Sequence, residues 1–182
     1  IHYDRLQNEG LQWPCPNTEH PGTKFLHQGR FTRGKGLFSA IEYKPAAEIA
    51  DEEYPFQLTT GRIHVHYHTG TMTRNSPSLE REINECFLEM HPEDAAELKV
   101  RDGDWVVIAS RRGSVPTRVK LTDGSRRKTV FMPFHFIESR ANILTNPTFD
   151  PIAKIPELKV CAVKIQKMET SDKNISSSAP AY

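Results

Sequence analysis

From residue 54 onward, apolar and polar residues exchange places every one or two positions in short runs bounded by turn residues. That pattern predicts a barrel or sandwich of strands. The clearest period of two lies at 114–121, where Val115, Thr117, Val119 and Leu121 alternate with Ser114, Pro116, Arg118 and Lys120. The preceding run, WVVIAS, lies between Asp102-Gly103 and Arg112-Gly113, so the two runs predict an antiparallel hairpin. YPFQLTT (54–60), CFLEM (86–90), TVFMPF (129–134) and KVCAVKIQ (159–166) predict further strands, the last with Cys161, Val163 and Ile165 on one face. One short helix is expected at HPEDAAEL: Pro92 suits the first helical position, and Glu93 and Asp94 complement the positive helix end. Residues 1–53 are rich in proline, glycine and polar residues with little periodicity, which predicts an extended arm or linker with short strands. The end, 169–182, is polar and small, as expected of a flexible tail. The expected organisation is an arm over 1–53, a barrel over 54–168 and a tail.

Charge and composition narrow the function. Lys plus Arg total 24 against 23 for Asp plus Glu, a net charge of +1, so there is no global field to attract nucleic acid or an anionic membrane. Any anion must be bound locally. No run approaches the roughly 18 apolar residues of a membrane span, and the first residues contain no signal-peptide core. A soluble chain without membrane insertion is expected, in the cytoplasm first and the periplasm second. The first residue is Ile1 rather than Met, which raises the expectation of a segment from a longer polypeptide. Cys15, Cys86 and Cys161 are far apart and form no CxxC pair, against a zinc ribbon or a disulfide scaffold. Cys86 and Cys161 sit in apolar runs and read as small core residues.

The segment TTGRIHVHYHTGTMTR, 59–74, has a composition that a hydrophobic core does not need. Thr59, Thr60, Gly61, Arg62, Thr69, Gly70, Thr71 and Thr73 crowd together after the apolar run YPFQL. Glycine there leaves backbone N–H groups open, hydroxyls add donors and guanidinium adds a fork, a set suited to one anionic group such as a diphosphate. A charge-assisted hydrogen bond contributes about 1.5–3 kcal/mol, so a few converging ones suffice without net positive charge. Neither GxGxxG nor GxxxxGK[ST] is present. His64, His66 and His68 alternate, which on a strand would put three imidazoles on one face. Same-face neighbours stand about 7 Å apart, too far for three bonds to one ion without a bend, so hydrogen bonding to a polar ligand is the preferred reading and no metal ligand is assigned. Downstream, Asn142, Thr145 and Asn146 stand among apolar residues, with Pro147 and Pro151 preventing regular structure. Such a loop can set an amide and an aromatic ring against a flat heterocycle; an ordinary proline-rich connection is the alternative.

Taken in order, HYHTGTMTRNSPSLERE, EMHPEDAAEL, SRRG and VFMPFHF followed by ANILTNPTFDPIAKIPELKVCAV resemble a known family. It is the C-terminal pterin-dinucleotide-binding domain of the large subunit of molybdenum or tungsten oxidoreductases of the dimethyl-sulfoxide-reductase superfamily. Formate dehydrogenases are the nearest likeness and periplasmic nitrate reductases the next. GLQWPCP and HPGTKFLH resemble the segment that precedes this domain in formate dehydrogenases. The resemblance implies a mainly β fold, a six-stranded double-psi β-barrel with short helices and an extended N-terminal arm. It also implies that Thr60, Gly61, Arg62, His66, His68, Thr69, Thr71 and Thr73 contact a molybdopterin guanine dinucleotide, as do Asn142 and Lys159. Phe134 falls on the substrate side. The complete enzyme would hold a molybdenum or tungsten bis-dinucleotide centre, with a [4Fe–4S] cluster in other domains. The expected partners are the remaining domains of the catalytic subunit and electron-transfer subunits.

No residue of this chain corresponds to the family's metal-ligating cysteine or selenocysteine, its catalytic histidine and arginine or its cluster motif. The domain by itself is therefore expected to be inactive. Two alternatives stand beside the formate dehydrogenase reading: the equivalent domain of a nitrate reductase, and a free-standing β-barrel that binds a partner, or a metal through His64, His66 and His68.

Overall fold

The structure, a computed structural model, describes residues 1–7 and 9–169. Of the expected tail, all but Glu169 lies outside the described residues. The chain divides into two compact units, Ile1–Tyr43 and Lys44–Tyr182.

In the second unit the alternating runs form β1 (Phe56–Gly61), β2 (Phe87–Met90), β3 (Trp105–Ala109), β4 (Ser114–Leu121), β5 (Thr129–Pro133) and β6 (Cys161–Lys167). They close a barrel in the order β1-β5-β2-β4-β3-β6. β1 and β5 are parallel, as are β2 and β4, whereas the other neighbours are antiparallel. Advancing every strand by three, β1 to β4, β2 to β5 and β3 to β6, returns the same cyclic order and the same pair senses. Two interlocked three-strand halves of this kind make the double-psi β-barrel. Each parallel pair requires a long crossover, so strands distant in sequence carry the connections that interlock.

The period of two read in the sequence fills the interior. Leu58, Leu88, Met90, Val106, Ile108, Val119, Val130, Met132 and Val163 are buried in one cluster. Burying each contributes roughly 1.5–3 kcal/mol. Cys86 and Cys161 join that core. Burial raises the Cys86 thiol to about 12 and the Cys161 thiol to about 11, so both stay protonated and unreactive. The expected helix is Pro92–Leu98, with His91 Nδ1 accepting from the Glu93 N–H (3.2 Å). A second helix, Pro77–Glu82, and short 3₁₀ turns were not foreshadowed by the hydrophobic pattern; that second helix has no buried residue and so no apolar stripe to announce it. Among the described residues no helix is long and apolar enough to cross a membrane.

Strand sense determines where the loops emerge. β1 and β5 run in the same direction, β6 runs against β1, and β3 runs against β6. The segments after β1, β3 and β5 and the segment before β6 therefore meet at one end of the barrel.

Residues 44–53 pack with the barrel unit rather than with 1–43. Glu48 accounts for this: it accepts from Arg111 (2.9 Å), from both Nη1 and Nη2 of Arg112 (2.9 and 2.7 Å), and from the Ala162 N–H (3.1 Å). The first unit has a 3₁₀ turn at Tyr3–Leu6 and an isolated bridge between Phe31 and Gly34 where short strands were expected. Arg5 donates to the His20 carbonyl (2.5 Å) and Thr23 Oγ1 to the Pro14 carbonyl (2.7 Å).

Candidate functional site

The segment that looked like a strand of alternating histidines is a loop. β1 ends at Gly61, and the chain then turns, with His68 at φ 50° and Gly70 at φ 77°. Gly70 suits this position because it adopts positive φ without strain. The turns break the alternation: His64 and His68 are exposed, whereas His66 is buried with 3% of its surface accessible. The three imidazoles share no face, and among the described residues no group of three or more His, Cys, Asp or Glu is disposed to hold a metal ion.

His66 holds the loop from beneath. Its Nε2–H donates to the Ile83 carbonyl (2.7 Å), which leaves Nδ1 to accept from Thr73 Oγ1 (3.1 Å). That hydroxyl accepts in turn from the Tyr67 N–H (3.1 Å). Thus His66 and Thr73, both assigned to a ligand by sequence, have their polar atoms engaged within the protein. His135, which sequence reasoning did not single out, does the same from the end of β5. Its Nε2 accepts from the Ile63 N–H (3.1 Å) and its Nδ1–H donates to the His68 carbonyl. Burial pushes its pKa down from 6.5, helped by His66, Arg62 and His68, against the bond to the His68 carbonyl.

Next to this pinned loop lies an open cleft of about 610 Å³. It brings together Thr69 and Thr71 from the loop with Phe134 and Asn142 from the segment after β5, four of the residues chosen from sequence. The side chains of Thr69, Thr71 and Asn142 make no hydrogen bond among the described residues. Arg74 and Arg140 also line the cleft, and their electrostatic states differ. Arg74 is doubly paired, to Glu138 (3.0 Å) and Glu80 (3.1 Å), and it lies over the Phe136 ring. These carboxylates, Glu138 first, hold its pKa above that of an ordinary arginine. Burial tends to raise Glu138, but the hydrogen bond from Arg74, a backbone hydrogen bond and the Arg74 charge together outweigh it, so that carboxyl is held low. Arg140 is exposed and has neither a side-chain hydrogen bond nor an ion pair among the described residues.

A second group adjoins the cleft through the Phe134 N–H, which donates to the Gly61 carbonyl (3.2 Å). Here Lys159 Nζ donates to the Thr60 carbonyl (2.6 Å) and Thr60 Oγ1 to the Leu158 carbonyl (2.7 Å). A Cβ on Gly61 would stand 2.6 Å from the Phe131 ring and 3.7 Å from Lys159 Nζ, so glycine allows this close approach. Arg62 and His68 form an exposed pair, Nη2 to Nδ1 at 3.4 Å. Asn146 is buried instead, its amide donating to Glu157 (3.1 Å) and the Val160 carbonyl (2.9 Å). Composition alone did not separate it from Asn142, which only the family resemblance singled out; the packing of the loop now distinguishes the two.

Comparison with known proteins agrees with this architecture. The chain is 50% identical to the F420-dependent formate dehydrogenase subunit alpha of Methanocaldococcus jannaschii, over 92% of this chain and 25% of that protein. It is 42% identical to the assimilatory nitrate reductase catalytic subunit of Bacillus subtilis, over 91% of this chain and 24% of that protein. The chain thus spans about a quarter of the length of the curated relatives it matches. Among solved structures, acetylene hydratase from Pelobacter acetylenicus superposes with a TM-score of 0.58 at 17% identity, covering 64% of this chain and 19% of that one, a likeness of fold. The family model described as Molydopterin dinucleotide binding domain matches residues 56–162, from the first residue of β1 into β6. Because that match covers more than half of the chain, from β1 into β6 and across both sides of the cleft, the chain belongs to the Molydopterin dinucleotide binding domain family.

Proposed function

We propose that this barrel is the cofactor-clamping domain of a formate dehydrogenase large subunit, which oxidises formate to carbon dioxide with release of two electrons. The observation that carries the assignment to formate rather than nitrate is the higher identity, 50% against 42%, over nearly the same span of the chain. The ligand is a pterin guanine dinucleotide of a molybdenum or tungsten centre, whose metal supplies the two-electron chemistry when bound. A [4Fe–4S] cluster, the metal-ligating residue and the electron-transfer partners belong to other domains and subunits, and the compartment is the cytoplasm.

The donor set fits such a ligand. Among the described residues no carboxylate pairs with Arg62 or Arg140, and both suit a diphosphate. The Asn142 amide offers both a donor and an acceptor to the edge of a heterocycle, and Phe134 offers a ring face. Thr69 and Thr71 add hydroxyl donors from the loop. His68 extends the rim beside Arg62, while Thr60, Gly61 and Lys159 shape the adjoining floor. His66 and Thr73 contribute by holding the loop. Catalysis by a cofactor depends on how rigidly its reactive atom is held, and binding and orientation are the work of these residues.

The test is turnover and composition of the complete polypeptide. Dye-linked formate oxidation, together with molybdenum or tungsten and a guanine dinucleotide pterin in the purified protein, is the expected outcome. Nitrate reduction without formate oxidation would replace this reading with the nitrate reductase alternative. Protein free of pterin, with neither activity, would favour a free-standing binding module.

A further inference from the structure

We propose that His135 is a positioning residue: as a neutral imidazole with its proton on Nδ1 it pins the 62–73 loop at Ile63 and His68, and protonation at Nε2 frees Ile63. The inference concerns the loop itself and rests on the proposed function only for its consequence for the dinucleotide.

The two contacts define the protonation state. A backbone N–H can only donate, so the Ile63 N–H facing Nε2 (3.1 Å) requires a lone pair there. A carbonyl can only accept, so the His68 carbonyl facing Nδ1 requires the proton there. No imidazolium satisfies both, because both of its nitrogens donate. His135 is 4% exposed, so an Ile63 N–H turned away by a protonated ring would have little water to replace the lost acceptor. Ile63 and His68 bracket the stretch just after Arg62 and just before Thr69, so one side chain sets the path between two candidate ligand donors.

The surrounding groups favour the neutral form. His66 stands 5.8 Å away between ring centroids, and Arg62 and His68 approach from the same loop. The other charged groups lining the cleft are Arg74, Glu80 and Arg140, with Glu138 bonded to Arg74. Glu80 pairs with Arg74 and stands 3.7 Å from His66 Nε2, and Glu138 pairs with Arg74, so neither is paired with His135. The direction of the effect follows. An unfolded histidine takes up its proton near 6.5, whereas the pinned one does so at lower pH. The stabilisation from the pin is therefore complete above about 6.5 and is lost as pH falls through the folded value.

Hydrogen–deuterium exchange on the cofactor-free complete polypeptide, corrected for intrinsic rates, reads the loop directly. In the wild type, the peptide covering 62–69 should exchange roughly tenfold faster once His135 is protonated, the loss of about one buried hydrogen bond. His135→Gln, which keeps one donor and one acceptor, should retain protection at neutral pH and lose the acid step. His135→Leu should leave the loop open at every pH. An acid step of equal size in wild type and His135→Gln, or unchanged protection in His135→Leu, overturns the proposal. Pterin content of the complete enzyme is measured in parallel. If the exchange behaves as expected and His135→Leu retains full pterin, the pin stands and the assignment of the loop to the dinucleotide fails.

Discussion

Two sets of arginines lie at the same end of the barrel and are treated in opposite ways. Arg111 and Arg112, in the turn between β3 and β4, share the carboxylate of Glu48; Arg111 also binds Asp51 and lies over the Tyr54 ring, and Arg112 donates to the Leu144 carbonyl (2.7 Å). Arg74, at the cleft, is similarly saturated by Glu80 and Glu138. Arg62 and Arg140 have no carboxylate within ion-pairing distance among the described residues; Arg62 reaches only His68. A guanidinium already satisfied by carboxylates acts as a brace, since a ligand anion would have to displace partners that are equally good. An unsatisfied one at a cleft is free to meet an anion. This distinction is the ground on which we propose an anion site, on a protein whose net charge is close to zero.

The most disruptive way to break the comparison is to convert the braced set into an unpaired one. Glu48→Ala removes the acceptor shared by Arg111, Arg112 and the Ala162 N–H. It should destabilise the barrel by about 3 kcal/mol in urea titration, near the lower end for a broken buried pair because Glu48 is not fully enclosed. A stability change below about 0.5 kcal/mol, the range of ordinary surface substitutions, would mean that these arginines are not braces.

A smaller effect is expected at Gly61, which sharpens the contrast because the change touches no arginine. Gly61→Ala forces the Phe131 ring to move and crowds Lys159. Overpacking of this kind costs about 1–3 kcal/mol, read as a lower denaturation midpoint. An unaltered midpoint would show that the ring yields freely and that the close approach is incidental.

The smallest effect is in acid. Burial raises the Glu48 carboxyl, but Arg112, the Ala162 N–H and Arg111 outweigh that and hold it below its ordinary 4.5. A carboxyl lowered in the folded state gives its full contribution above about 4.5, and loses it as pH falls through the folded value. Glu48→Gln should therefore flatten the stability profile below pH 4.5 relative to wild type. Parallel profiles would remove Glu48 from the account of acid stability.

Much of the barrel was legible in the sequence because a strand with one buried face must alternate, as 114–121 does, and because Pro92 with two acidic residues announces a helix start. The closure order was not legible from alternation, since local periodicity carries no information about which distant strands pair; family resemblance supplied it. Within the candidate site, the crowding of hydroxyls, glycines and arginine at 59–73 drew attention to a loop that the structure places beside the cleft. The burial of its histidines was not legible from their spacing. His66 shares an alternating pattern with His64 and His68, yet a turn at His68 and Gly70 sends it inward while they remain outside. His135 passed unnoticed because its meaning lies in contacts with residues some seventy positions away, Ile63 and His68. Arg74 and Arg140 are chemically identical in sequence; the carboxylates folded against one of them make the difference.

The most direct test of the central claim uses the complete enzyme carrying both Arg62→Ala and Arg140→Ala, with pterin content per polypeptide and urea midpoint measured on the same preparation. If these guanidiniums hold the anionic part of the dinucleotide, pterin retention falls by at least about tenfold while stability stays within about 0.5 kcal/mol of wild type. Full pterin content in the double variant, or a loss of pterin matched by an equal loss in an Arg111→Ala control, would contradict the account.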